Sequence, residues 1–192
     1  MRCYLDMDGV LVDFIGGANR AHGKEDPFLI EANRGTYAVE ELWGMTPKEF
    51  WEPLNSLEFW ENLEKTPECD EIIELACNGF GDENVCILTA PSEFEGCMVA
   101  KQRWMKKHYP EFVKRTIFAA AGTKQFIGGP EKLLIDDRDS NVEEWRKAGG
   151  RGILLPRPWN KLHHQSDHPM RWLKEELQIS YLQRRANVQR SS

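Results

Sequence analysis

The sequence predicts an α/β fold: a parallel sheet covered by helices, with a small helical insertion after the first strand. Three observations predict it. Short apolar runs recur along the chain, each too short for a helix and most closed by turn or capping residues. Stretches with helical spacing fall between them, joined by short connections, which is the rhythm of a parallel sheet. One long segment, residues 16–68, breaks that rhythm and carries no strand signal.

Taken in order, the first strand candidate is Cys3–Leu5, which runs directly into acids. Residues 16–68 follow, with Trp43, Phe50, Trp51, Phe59 and Trp60, and with Pro47 and Pro53 as punctuation. This segment reads as a helical cap over the sheet. Most of its rings serve the cap's own core, and a face turned to the site brings one or two of them to a substrate. Glu71–Cys77 reads as a helix ended by Asn78-Gly79. Val85–Leu88 is the second strand candidate. Beyond it Phe94, Cys97, Met98, Lys101, Trp104, Met105, His108 and Tyr109 follow helical spacing over four turns. Thr116–Ala120 and Leu133–Ile135 are the third and fourth strand candidates. Ser140–Ala148 places Val142, Trp145 and Ala148 on one helical face, with Gly149-Gly150 as the stop. Gly152–Leu155 is the last strand candidate. The expected division is a catalytic core over 1–15 and 70–180, a cap over 16–69, and a flexible basic tail over 181–192.

Composition narrows the function classes. The 192 residues can build one sizeable core with a small appended unit. With 25 basic and 31 acidic residues the net charge is −6, which weighs against a protein that coats nucleic acid. It leaves room for a single nucleotide in a local basic pocket. No apolar run approaches the roughly 20 residues of a membrane span, and Met1-Arg2 leads into too short an apolar stretch for a secretory signal. The five cysteines are odd in number, sit mostly in apolar segments and form no CxxC pair. They read as reduced thiols, with neither a disulfide framework nor a structural zinc site. Cytoplasm is the expected location.

The strongest local signal is Leu5-Asp6-Met7-Asp8-Gly9-Val10-Leu11-Val12-Asp13-Phe14. A strand runs into two carboxylates two residues apart, then glycine. Ligands of open parallel sheets bind just beyond the carboxyl ends of strands. Two acids there suit Mg²⁺, a nucleophile and a proton-transfer partner. A calcium EF-hand fails on spacing, because Gly9 falls at the fourth position of the loop and a strand precedes it. A second acidic pair, Asp136-Asp137, closes Leu133–Ile135. Adjacent carboxylates repel unless a cation is present, so two acidic strand ends point to a divalent metal. A third strand end carries Thr89-Ala90-Pro91, whose hydroxyl and backbone N–H groups suit a phosphate. Two lysines are candidate partners for it. Lys124 lies past the third strand. Lys101 sits in the apolar helical stripe, where it either snorkels outward or aims its amine into the site. Lys124 is the favoured of the two.

These residues together resemble the haloacid dehalogenase-like superfamily of phosphohydrolases. Asp6-Met7-Asp8-Gly9-Val10 looks like its first motif, Thr89 its second, Lys124 its third and Asp136-Asp137 its fourth. Finer features are similar to the 5'(3')-deoxyribonucleotidase family: the first motif extended through Phe14, the turn Leu88-Thr89-Ala90-Pro91, Lys101-Gln102-Arg103-Trp104, and Leu133-Leu134-Ile135-Asp136-Asp137. The resemblance implies a Rossmann-like five-stranded parallel sheet with helices on both faces and a cap inserted after the first motif. It implies Mg²⁺ and an aspartyl-phosphate intermediate, with Asp6 as nucleophile and Asp8 as acid, then base. Thr89, Ala90, Lys124 and Lys101 are the expected phosphate-binding set. Metal ligands would be Asp6, the Asp8 carbonyl and Asp137, with Asp136 steadying their surroundings. Asn33-Arg34-Gly35-Thr36-Tyr37 is similar to the family's base-contacting loop, so Phe14, Thr36, Tyr37 and Trp43 are the expected substrate contacts. Ala90 departs from the family, which often has serine there. The reaction implied is hydrolysis of a nucleoside monophosphate. The rival readings are another phosphate ester, such as a polynucleotide end or a sugar phosphate, and a phosphate sensor without turnover. The expected partner is a small nucleotide, with no membrane and no stable nucleic-acid partner; a homodimer is compatible with the sequence.

Three further segments read as structural. His163-His164-Gln165-Ser166-Asp167-His168 fits a solvated loop better than a second metal site. Gly128-Gly129-Pro130 is a turn, since no helix-opening Lys-Ser/Thr follows. Pro156-Arg157-Pro158-Trp159-Asn160 reads as a rigid loop at the rim of the site, with Arg157 facing substrate.

Overall fold

A computed structural model describes residues 1–191, with side chains described for residues 1–180. Five short strands form one parallel sheet: β1 (Arg2–Leu5), β2 (Val85–Thr89), β3 (Thr116–Phe118), β4 (Lys132–Asp136) and β5 (Arg151–Leu154), in the order β3-β2-β1-β4-β5. The central strand β1 pairs with both neighbours, setting Cys3 beside Val85 and Leu133. The chain leaves β1 toward β2 on one side and returns to β4 on the other. The switch point therefore lies between β1 and β4, where open α/β sheets bind ligands.

Apart from α8, the helices follow one another as α1 (Phe14–His22), α2 (Val39–Leu42), α3 (Pro47–Trp51), α4 (Leu57–Glu61), α5 (Cys69–Phe80), α6 (Cys97–His108) and α7 (Asp139–Lys147). The final helix, α8, spans Pro169–Ser191. The expected flexible tail, 181–192, lies outside the residues whose side chains are described. Alternation along the strands sorts the core onto two faces. Cys3 and Leu5 pack with Ile72 and Ala76 of α5, Trp104 of α6 and Leu173 of α8. Tyr4, Leu88 and Leu134 pack with Trp145 of α7 on the other.

Two boundaries differ from the sequence reading. Asn78-Gly79 does not end α5, which continues to Phe80 and stops at Gly81 with φ +85°. The stop needs the residue that tolerates positive φ, and Gly81 lies where Phe80 can still bury its ring. The predicted stripe from Phe94 becomes helical only at Cys97.

Residues 14–61 contain only helices and short 3₁₀ turns. Their caps are local. Asp13 accepts from Gly16 N–H, Thr46 and Glu49 form a reciprocal capping box, and Ser56 caps α4. Both ends of the insertion are tied together at the sheet. Asp13 N–H donates to the Glu64 carbonyl at 2.9 Å, and Thr66 N–H to the Leu11 carbonyl at 2.9 Å. Thr66 Oγ1 donates to the Val10 carbonyl at 2.7 Å. Trp104 on α6 donates its indole N–H to the Leu63 carbonyl at 2.7 Å. Ala18, Phe28, Val39, Phe50 and Leu54 form a core of their own, joined by Trp159.

Candidate active site

The carboxyl ends of β1 and β4 bring three acids together. Carboxylate oxygens of Asp6, Asp136 and Asp137 all lie within 4.8 Å of one another, and all three residues are buried. Lys124, itself buried, bridges two of them, with Nζ at 2.7 Å from Asp6 Oδ1 and 2.7 Å from Asp136 Oδ2. The sheet order explains the meeting, because β1 and β4 are neighbours in register. Asp136 is saturated: besides Lys124 it accepts from Arg138 N–H, and the Asn141 Nδ2 group donates across both of its oxygens. Asp137 Oδ2 accepts the Trp159 indole N–H at 2.6 Å. Asp6 Oδ2 and Asp137 Oδ1 accept no hydrogen bond among the described residues, and both residues line the same cleft.

A second lysine serves the other acid. Lys101 is fully buried, and its Nζ pairs with Asp8 Oδ2. It donates as well to Thr89 Oγ1 at 2.9 Å and to the Ala90 carbonyl at 3.0 Å, and lies 5.1 Å from the Trp60 ring. The snorkelling alternative for Lys101 therefore fails. An ammonium has three N–H groups, and those of Lys101 go to Asp8, Thr89 and Ala90. Lys124 spends two of its three, which leaves one for a ligand. Because Lys101 occupies a lone pair of the Thr89 hydroxyl, that hydroxyl keeps its own hydrogen to donate.

The loop after β5 braces both acidic turns. Arg157 Nε donates to the Gly9 carbonyl at 2.6 Å, and Asn160 Nδ2 donates to the Asp137 and Leu155 carbonyls at 2.8 Å each. Arg157 is buried and paired with Glu68, so it braces the first motif and does not face substrate. Gly9 explains why the first motif needs glycine. Its φ is +73°, and an added Cβ would lie 2.2 Å from Asp137 Oδ2.

Asp6, Asp8, Gly9, Lys124 and Asp137 floor a cleft of about 1360 Å³ walled by Phe14, Tyr37, Phe50, Trp51 and Trp60. Phe14 contacts four rings, with centroids 5.6–6.5 Å away at Phe50, Trp51, Phe59 and Trp60. Tyr37 carries the Arg138 guanidinium 4.7 Å above its ring. The expected substrate contacts Thr36 and Trp43 do not line the cleft. Trp43 packs instead on His22 and Phe50, in the core of the insertion. Lys101, Thr89 and Asp136 lie behind the cleft surface, fully buried.

Electrostatics at this floor favour a divalent cation. Fully ionised, the four carboxylates would exceed the two ammonium groups by two negative charges, which one such ion balances. Burial pushes Asp6 up to about 7, against the pull of Lys124 and helped by the Asp136 and Asp8 charges. Burial, with Asp136 and Asp6 beside it, also raises Asp137 well above the usual carboxylate range. For the protein alone, desolvation of Asp6 outweighs the pull of its one lysine. Hard oxygen donors with open positions at Asp6 and Asp137 fit Mg²⁺.

The family model for 5' nucleotidase, deoxy (pyrimidine), cytosolic type C matches residues 1–185. The chain belongs to this family. Among curated members, the mitochondrial 5'(3')-deoxyribonucleotidase of Mus musculus is 33% identical over 150 residues, covering 72% of this chain and 64% of that protein. The chain thus spans less than two thirds of the mouse protein's length. The cytosolic-type 5'(3')-deoxyribonucleotidase of Homo sapiens is 33% identical over 150 residues, covering 73% of this chain and 72% of that one. Solved structures share the fold. A haloacid dehalogenase-like hydrolase of Streptococcus pneumoniae aligns at TM-score 0.55 and 12% identity, over 91% of this chain and 97% of that one. A putative hydrolase of the same superfamily from Bacillus subtilis, bound to magnesium, aligns at TM-score 0.52 and 14% identity, over 80% and 86%.

Sequence reasoning about this nucleotidase-family site missed Asn141, which had a faint signal in its place in the first turn of the helix after the fourth motif. It set Trp159 and Asn160 in a loop at the rim of the site, but not on Asp137, since only the fold returns the loop after β5 to β4.

Proposed function

We propose that this chain is a Mg²⁺-dependent phosphomonoesterase that dephosphorylates nucleoside monophosphates, deoxyribonucleotides foremost, through a phosphoryl–Asp6 intermediate. The observation that carries the reading is the division of labour at the first motif: Asp6 is held by Lys124, and Asp8, two residues on, by Lys101. A nucleophile and a proton carrier need such separate supports, because one must reach phosphorus while the other reaches the leaving oxygen.

In this reading the phosphate enters beside Lys124, which gives it the remaining N–H, and beside the Thr89 hydroxyl. Asp6, the Asp8 carbonyl and Asp137 would hold Mg²⁺. When bound, the ion supplies positive charge that offsets the repulsion between Asp6 and a phosphate dianion. An Asp6 oxygen attacks phosphorus, and the ester P–O bond breaks. Asp8 protonates the departing ribose oxygen. Asp8 then takes a proton from water, whose oxygen attacks phosphorus and frees Asp6 and inorganic phosphate. The aromatic walls, Phe14, Trp51 and Trp60 among them, suit a planar base. The relatives' names, deoxyribonucleotidases of cytosolic and mitochondrial type, support the substrate class, and the human one supports a cytoplasmic location. Residues 16–69 act as the cap over the site. Among the described residues, no helix is long and apolar enough to cross a membrane.

The test is phosphate release from a panel of purine and pyrimidine monophosphates, ribo and deoxy, with Mg²⁺ and with chelator. Metal-dependent release from deoxynucleotides is expected. Release from sugar phosphates alone would move the substrate class. No release from any ester would leave a phosphate-sensing protein.

A further inference from the structure

We infer that Trp159 is a positioning residue that sets the affinity of Asp137 for its cation and ties that affinity to the packing of the inserted helices. The inference rests on the metal reading above. Trp159 has two attachments. Its indole N–H donates to Asp137 Oδ2 at 2.6 Å, so one oxygen of this carboxylate is fixed and the other, Oδ1, is left for a ligand. Its ring belongs to the core of the insertion, 5.7 Å from Phe28 and clustered with Ala18, Val39, Phe50 and Leu54. The side chain is 9% exposed, so it has little room to turn without breaking one attachment or the other.

The surrounding loop removes the remaining freedom. Asn160 holds the Asp137 carbonyl and the Leu155 carbonyl, and its own amide oxygen accepts from Arg157 N–H and Leu162 N–H. The backbone at Asp137 is thus pinned by Asn160 and its side chain by Trp159. Outer hydrogen bonds of this kind orient a ligand and commonly govern metal affinity by 10–100-fold. Here the outer partner is planted in another layer of the protein. A cation that pulls on Asp137 pulls on Trp159, and through it on Phe28 and Phe50. Linkage makes the coupling reciprocal: what loosens the insertion weakens the cation, and the cation must firm the insertion.

The test uses the full chain and Mg²⁺ itself. Calorimetric titration of wild type and Trp159→Phe compares a protein that keeps the ring with one that has lost only the donor. The variant is expected to bind Mg²⁺ about tenfold more weakly. It is also expected to lose part of the Mg²⁺-dependent change in tryptophan fluorescence. Binding within twofold of wild type would overturn the proposal. Hydrogen exchange on the wild-type protein tests the coupling without any variant. Added Mg²⁺ should slow exchange in α1 and α3, and protection confined to the ends of β1 and β4 would overturn the link to the insertion. If wild type takes up no Mg²⁺ at millimolar concentration, the metal reading itself falls, and the inference with it.

Discussion

In the proposed mechanism Asp6 would work under a constraint that its own chemistry opposes. It is 7% exposed, and burial disfavours the charge a nucleophile needs. Three predictions belong at this scale. Asp6→Asn removes the attacking oxygen's charge and keeps the shape. It should fold normally and lose turnover completely, read as phosphate release from a variant with wild-type circular dichroism. The raised Asp6 value also makes the metal-free protein pH-sensitive. A carboxyl whose folded value, about 7, exceeds the ordinary ~4 favours the fold in its protonated form. That contribution is fully present below about pH 4 and is lost as pH rises through 7. Asp137 is raised in the same direction. The gain in melting temperature from Mg²⁺ over chelator should therefore grow between pH 5 and pH 8; a gain that is flat across that range would contradict the assignment. Lys101 predicts differently. Lys101→Met leaves Asp8 without its ion pair and the Thr89 hydroxyl without its donor. Turnover should fall by about a hundredfold or more with little change in KM, because no bond to the phosphate is removed.

At the scale of elements, the site is made by loops that strands aim. The turn after β1 carries Gly9 against Asp137, and the turn after β4 carries Asp137 itself. Gly9→Ala puts a Cβ 2.2 Å from Asp137 Oδ2 at a backbone φ of +73°. The positive φ alone costs about 1–2 kcal/mol, and the collision displaces a proposed ligand. Chemical denaturation should show the loss of stability, and calorimetry a weaker hold on Mg²⁺. Much at this scale was legible in the sequence. All five strand candidates lie within a residue or two of the observed strands, since short apolar runs closed by turn residues have few other uses. The end of α5 was not legible. Asn78-Gly79 has the look of a stop, yet the helix continues because Phe80 gains burial by staying in it.

Across the whole molecule, the insertion and the sheet share one aromatic seam. Phe14 opens α1, lines the cleft and contacts four rings of the insertion. Phe14→Ala should cost about 2 kcal/mol in urea denaturation, a partly exposed ring costing less than a core one. It should also raise KM for nucleotides by removing a wall. Local pattern determined the α/β class, the helical insertion and the acids that close β1 and β4, because these depend on neighbours a few positions apart. Tertiary structure alone decided which lysine serves which acid, since Lys101 and Asp8 are 93 positions apart in the chain. It alone decided that Trp43 packs away from the cleft while Trp159 reaches Asp137. The physical reason is that a side chain's partners are set by how strands are ordered and how loops return over them. A residue type announces what it can bond, and only the fold brings the partner within reach.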